Sequence, residues 1–168
     1  MLRPRPFQAV CWLPALALLA VGASPVAAQP AAFGVADRAT VMSVHAEGAQ
    51  IYECKADAAG RLAWSFREPV ATLLRDDQTV GRHYAGPHWA LDDGSLVQGK
   101  VAMSQPGSTA DDVPWLKLDV VRNSGAGALK DATLVLRLNT HGGALKGDCP
   151  SAGALRAQPY SADYVFLR

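Results

Sequence analysis

The chain has 168 residues, 49% of them apolar and 18% charged, with 16 basic side chains against 15 acidic ones. The formal net charge is +1, and without the two arginines of residues 1–28 it is near −1, which gives no electrostatic reason to expect nucleic acid or an anionic membrane surface as a partner. The length allows one ordinary domain with a real core.

Arg3 and Arg5 form a short basic region, followed by the apolar run Trp12–Val21 and the A-x-A-like site Val26-Ala27-Ala28. The run is too short to span a bilayer, so residues 1–28 are expected to be a signal peptide and the protein to be exported, to the periplasm or beyond. Pro14, Gly22 and Pro25 argue against an uncleaved anchor, and Cys11 precedes the apolar run instead of ending it, unlike a lipid-bearing cysteine. Beyond residue 28 no apolar run is long enough for a membrane span. The cysteines left after cleavage are Cys54 and Cys149. In an oxidising compartment such a pair reads as one disulfide, worth roughly 4–5 kcal/mol by chain entropy for so long a loop. No C-x-x-C spacing supports a redox or metal-binding pair.

Residues 29–39, rich in Ala and Pro, are expected to be a flexible lead-in to a single β domain over 40–168. Thr40–Ala46 alternates and ends at Glu47-Gly48, with His45 on the Val41 face, packed in or beside the core. Gln50–Lys55 is a strand with Tyr52 and Cys54 on one face. Leu62–Arg67 returns as its hairpin partner, while Ala71–Leu74, after Pro69, fits a strand or one turn of helix. Leu96–Met103 is a strand pairing back across the Asp92-Asp93-Gly94 turn. Strands are also expected at Trp115–Val121, Thr133–Asn139 and Tyr160–Phe166, with loops over 105–112 and 141–153. No segment outside the signal keeps a 3.6-residue apolar period. The class expected is therefore all-β, an antiparallel sandwich or barrel of roughly seven to ten short strands.

The order of motifs is distinctive. It runs Gln50-Ile51-Tyr52-Glu53-Cys54, Trp64, Gly81-x-His83-Tyr84-Ala85-Gly86-Pro87-x-Trp89, Asp93-Gly94-Ser95 and Val113-Pro114-Trp115-Leu116. Arg137-x-Asn139-Thr140-x-Gly142-Gly143, Cys149 and Tyr160-x-Ala162-Asp163-Tyr164 complete it. This order resembles the family called domain of unknown function 3455, across nearly the whole chain after the signal. The resemblance implies a single exported, predominantly β domain with no established activity. Position 88, a small hydroxyl residue in the family pattern, is His88 here, and the Asp92-Asp93 pair varies more than the Asp-Gly-Ser that follows it. A dehydrogenase name carried by some fungal relatives does not fit, because no strand–G-x-G-x-x-G–helix unit exists to hold a dinucleotide.

Gly81–Ser95 is the stretch densest in groups able to grip a ligand. On one regular strand, His83 and Trp89 would share a face and Tyr84 and His88 the other. The two histidines are then not expected to hold one metal, and no cofactor is expected. Only a bulge at Gly86-Pro87 would join the rings, with Asp92, Asp93 or His141 completing a set. A hydrolase reading makes His83 the base, Asp92 or Asp93 its orienting group and Ser95 or another hydroxyl the nucleophile, but no G-x-S-x-G elbow is present. The reading preferred is a non-catalytic domain that binds a small ligand, glycan or envelope component. Its candidate site is His83, Tyr84, Trp89, Asp93, Ser95, Arg137 and Asn139, where aromatic rings supply apolar area and a quadrupole beside polar groups. Trp64 and Trp115, on alternating strands, read as core. At a surface site of this kind, replacing His83 or Trp89 by Ala is expected to leave stability within about 1 kcal/mol.

Overall fold

Apolar and polar side chains alternate through nearly every segment after residue 40, and in the computed structural model these segments become eight antiparallel strands of one sheet. The structure describes residues 33–168. The expected signal peptide, residues 1–28, lies outside the described residues. The strands are β1 (Thr40–Ala56), β2 (Leu62–Arg75), β3 (Gln78–Tyr84), β4 (His88–Leu91), β5 (Leu96–Gln105), β6 (Trp115–Ser124), β7 (Leu134–Gly142) and β8 (Leu155–Leu167). Each pairs with the next in sequence, and β1 closes the ring against β8, from Thr40↔Leu167 to Glu53↔Leu155. The architecture is an up-and-down barrel. Closure leaves no long strand edge open to another chain.

Pro69 does not split β2. The strand runs on through it with one extra residue, Arg67, where Ile51 pairs with Glu68 but Tyr52 pairs with Phe66. β3 joins β2 only from the Ala71↔His83 pair onward, so Pro69 sits where β2 has a neighbour on one side. A missing N–H costs no ladder bond there. Ala71–Leu74 is therefore strand and not helix.

Two apolar layers follow from the alternation. Inside lie Val44, Ala46, Leu73, Trp89, Val97, Leu118, Val135, Ala162, Tyr164 and Phe166. Outside β7 and β8, Leu134, Leu136, Leu138 and Leu167 make a second cluster with Trp115, covered by Phe33 and Val35. Phe33 and Val35 are 5% and 6% exposed. The part of the lead-in nearest β1 is thus packed down, because β7 presents an outward leucine row that needs cover. His45 also departs from expectation. An extra residue at Val41, between the pairs Thr40↔Leu167 and Met42↔Phe166, turns Met42, Val44 and Ala46 inward. His45 lies half-exposed on the outer wall, its Nδ1 2.8 Å from Asp163 Oδ1.

The barrel has one closed and one open end. At the closed end the β6–β7 loop inserts Leu129, fully buried, as a plug. Asn123 Nδ2 holds that loop through the carbonyls of Leu129, Lys130 and Ala132 at 2.8, 3.1 and 3.1 Å. At the other end the β7–β8 loop runs along β2, with Trp64 N–H donating to Gly147 O and Cys149 N–H to Leu62 O. A disulfide between Cys54 and Cys149, Cα–Cα 5.7 Å across a separation of 95 residues, ties the loop to β1. A Cys54→Ala/Cys149→Ala variant is expected to lose about 2–4 kcal/mol of unfolding free energy. Urea denaturation compared with the unreduced wild type measures it, and equal midpoints would show that the bridge adds nothing.

Candidate functional site

The β3–β4 hairpin sets the geometry of the site. Gly86, at φ 103°, makes the tight connection that a side chain would strain. The register pairs His83 with Trp89 and Tyr84 with His88. A cross-strand pair shares a face, so the chain is sorted as expected but by a hairpin and not by one long strand. Inside, the His83 and Trp89 rings stack at 4.6 Å and 11°. Outside, Tyr84 and His88 stack at 5.2 Å and 14°, with the Arg82 guanidinium 5.7 Å from the Tyr84 ring.

His83 and Trp89 are interior residues, 3% and 1% exposed. The Trp89 indole meets Tyr164 at 5.3 Å and Phe166 at 6.0 Å, both edge-on, while His83 lies 4.9 Å from Tyr164. Gly99 on β5 makes room for the indole: a Cβ there would come within 3.0 Å of Trp89 Cζ3. These rings are packed within the barrel interior, so their replacement by Ala is a core truncation. The expectation of a stability change within about 1 kcal/mol does not hold for Trp89, whose loss is expected to cost about 3–5 kcal/mol.

Above this aromatic floor, at the open end, the barrel encloses a cavity of about 380 Å³. Its wall is apolar: Phe66 and Pro69 of β2, Pro87 of the hairpin, Val101 of β5, Val113 of the β5–β6 loop, and Leu116 and Leu118 of β6. Gln50, Tyr52, His83, Trp89, Arg137 and Tyr164 supply the polar groups. Arg137 points inward because it alternates with the outward Leu134, Leu136 and Leu138, and it pairs with Tyr164 in the β7–β8 ladder. Its Nε donates to Pro114 O at 3.0 Å. Tyr52 spends its hydroxyl on Gly143 O at 2.8 Å. By contrast Gln50 Nε2, Trp89 Nε1 and Tyr164 Oη are buried without a hydrogen-bond partner. Gln50, Tyr52 and Tyr164 were not singled out by sequence reasoning. The signal that could have found the last is the alternation Tyr160-x-Ala162-x-Tyr164-x-Phe166, which aims every second side chain of β8 inward.

Burial dominates the titration of this interior. It pushes His83 down to about 3, reinforced by the Arg137 charge and only partly opposed by the hydrogen bond to His88 O. Nδ1 lies 2.8 Å from that carbonyl; a carbonyl can only accept, so Nδ1 carries the proton and Nε2 the lone pair. Tyr160 and Tyr164 are raised by burial, so both stay protonated.

The remaining candidates lie elsewhere. Asp93 is a clamp at the closed end: Oδ1 accepts from Ser95 N–H at 2.9 Å and Ser95 Oγ at 2.6 Å, and Oδ2 from Ala128 N–H at 2.6 Å. These bonds, that of Ala128 foremost, hold its carboxyl below the usual range. Asp92 and Asp93 lie three and four residues beyond Trp89, the cross-strand partner of His83, roughly 10 and 13 Å along the strand direction at about 3.3 Å per residue. The base–acid–nucleophile set of the hydrolase reading is not assembled. Asn139, left-handed at φ 48° in a β7 bulge, donates to Asp163 Oδ2 at 2.7 Å on the outer wall. Tyr84 faces outward. Of the seven candidates, His83, Trp89 and Arg137 meet at the cavity. Among the described residues no three or more His, Cys, Asp or Glu side chains gather as a metal site.

The His83 shift has a pH consequence. Its folded value lies below the unfolded value of about 6.5, so its stabilising contribution is complete above pH 6.5 and falls as pH drops toward 3. By pH 5 the loss is on the order of 2 kcal/mol. Thermal melts between pH 7 and 5 are expected to show this decline in the wild type and a flatter profile in His83→Gln; parallel profiles would contradict it.

No curated protein and no solved structure matches the chain. A family model described as "Protein of unknown function (DUF3455)" matches residues 35–79 and 75–168. This covers the cavity lining and both cysteines of the disulfide, Cys54 and Cys149, and the chain belongs to the DUF3455 family.

Proposed function

We propose that this protein is an exported, non-catalytic binding barrel that takes a small, largely apolar ligand into its open end. The observation that carries the reading is the 380 Å³ cavity floored by His83 and Trp89. Its size lies within the range of small-molecule sites, and its make-up is theirs as well: apolar walls with a few convergent polar groups. Eight strands enclose an interior that side chains can just fill or that can hold one small ligand. Here the aromatic cluster fills part of it. Phe66 and Val101, 51% and 50% exposed, give the mouth an apolar rim. Export rests on the N-terminal pattern of residues 1–28, and the disulfide suits an oxidising compartment. An envelope component with an apolar portion is the kind of partner this mouth fits.

Titration with the neutral fluorophore N-phenyl-1-naphthylamine tests the reading. The wild type is expected to bind one equivalent with a blue-shifted, enhanced emission. Val101→Trp, which obstructs the mouth from a half-exposed position, is expected to weaken binding at least tenfold with stability changed by no more than about 0.5 kcal/mol. Equal binding by both proteins, or none by the wild type, would sink the proposal.

A further inference from the structure

The cavity carries a charge that its own walls do not answer. Two cations line it, Arg67 and Arg137. Arg67 at the rim has its counter-ion, Glu68, with Nε to Oε1 at 3.1 Å. Arg137 has none: among the described residues, no carboxylate lies within ion-pair distance of its guanidinium. Its Nε donates to the Pro114 carbonyl and its guanidinium lies beside the Tyr164 hydroxyl, two neutral neighbours that leave its charge unbalanced. His83 is neutral in this setting, so the uncompensated charge of the site is a single positive one.

The other unspent groups favour the same occupant. Gln50 Nε2 and Trp89 Nε1 are donors without acceptors, in residues each 1% exposed. The Tyr164 hydroxyl, equally buried and without a hydrogen bond of good geometry, lies beside the Arg137 and Tyr160 side chains and can donate too. A cluster of donors beside an unpaired guanidinium, facing an apolar wall, is costly when empty of acceptors. An anionic oxygen pair removes that cost. A planar carboxylate matches the guanidinium fork, and one negative charge balances the one positive charge.

Resting on the binding reading above, we infer that the ligand is an amphipathic monocarboxylic acid. Its carboxylate is held by Arg137 with Tyr164, Gln50 and Trp89, and its apolar or aromatic body lies along Leu116, Val113 and Phe66. The acid enters head first, because Gln50, Trp89 and Tyr164 are buried while the exposed rim is apolar.

The test compares naphthalene-2-carboxylate with naphthalene-2-carboxamide at pH 7.5, by calorimetry and by displacement of N-phenyl-1-naphthylamine. The two share a body and differ in charge. The acid is expected to bind the wild type 10- to 100-fold more tightly than the amide, as a charge-assisted contact should. Arg137→Gln is expected to bring the two ligands within about threefold of each other while the neutral fluorophore still binds. Comparable wild-type affinities for acid and amide, or a preference that survives in Arg137→Gln, would overturn the inference and leave the binding barrel standing. If the wild type binds neither naphthalene ligand nor the fluorophore, both readings fall. Should Arg137→Gln not fold, the wild-type comparison decides alone.

Discussion

The pairing of β1 with β8 closes the sheet, and the rest of the structure depends on it. Without that ladder, the first and last strands of the meander would expose their edges and the inward rows would face water. With it, every second residue of eight strands points into a space about one side chain deep. Bulges at Val41 and Arg67 adjust the register so that Val44, Ala46 and Tyr52 stay inside while the wall keeps its curve. β4 has four residues, yet it is held on both sides, by β3 and by β5.

The ends of the barrel differ in how their polar groups are satisfied. At the closed end Asp93 answers three donors and Asn123 answers three carbonyls, which locks the Leu129 plug in place. At the open end, Gln50, Trp89 and Tyr164 keep buried polar atoms without partners. Native interiors rarely leave such groups unpaired without a reason. One end is finished by the chain itself, and the other has the features of a place finished by something else.

Two inward basic side chains behave in opposite ways for one physical reason. Burial removes the proton from His83, since an imidazole can lose its charge at modest cost. Arg137 cannot make that adjustment, because a guanidinium stays protonated in a protein. The stacked His83–Trp89 pair therefore acts as a flat, neutral floor, and the electrostatic character of the cavity comes from one strand, β7.

Much of the architecture was legible in the chain. Period-2 alternation marked most strand positions, although Glu47-Gly48, expected to end a strand, lies inside the unbroken β1, and β3 and β4 were not foreseen as a hairpin. Asp92-Asp93-Gly94 marked a turn, the two cysteines marked the bridge, and the spacing of His83, Tyr84, Trp89 and His88 sorted them correctly into two faces. These are local properties, fixed by the pleat and by turn chemistry within a few residues. What local pattern does not contain is which face becomes the inside. Only the closed barrel turned His83 and Trp89 inward, brought Arg137 from 54 positions beyond His83 to the same cavity, and sent Asn139, two residues further on, to the outer wall through a bulge. It also assigned Asp93 and Ser95 to the plugged end. Those outcomes depend on long-range register, and a one-residue slip reverses the side to which every group on a strand points. The sequence by itself determined the β class, most of the strand positions and the disulfide pair, because these rest on local alternation and on cysteine count. The tertiary structure decided where strands run on unbroken and which of their side chains share a cavity, because that depends on long-range register.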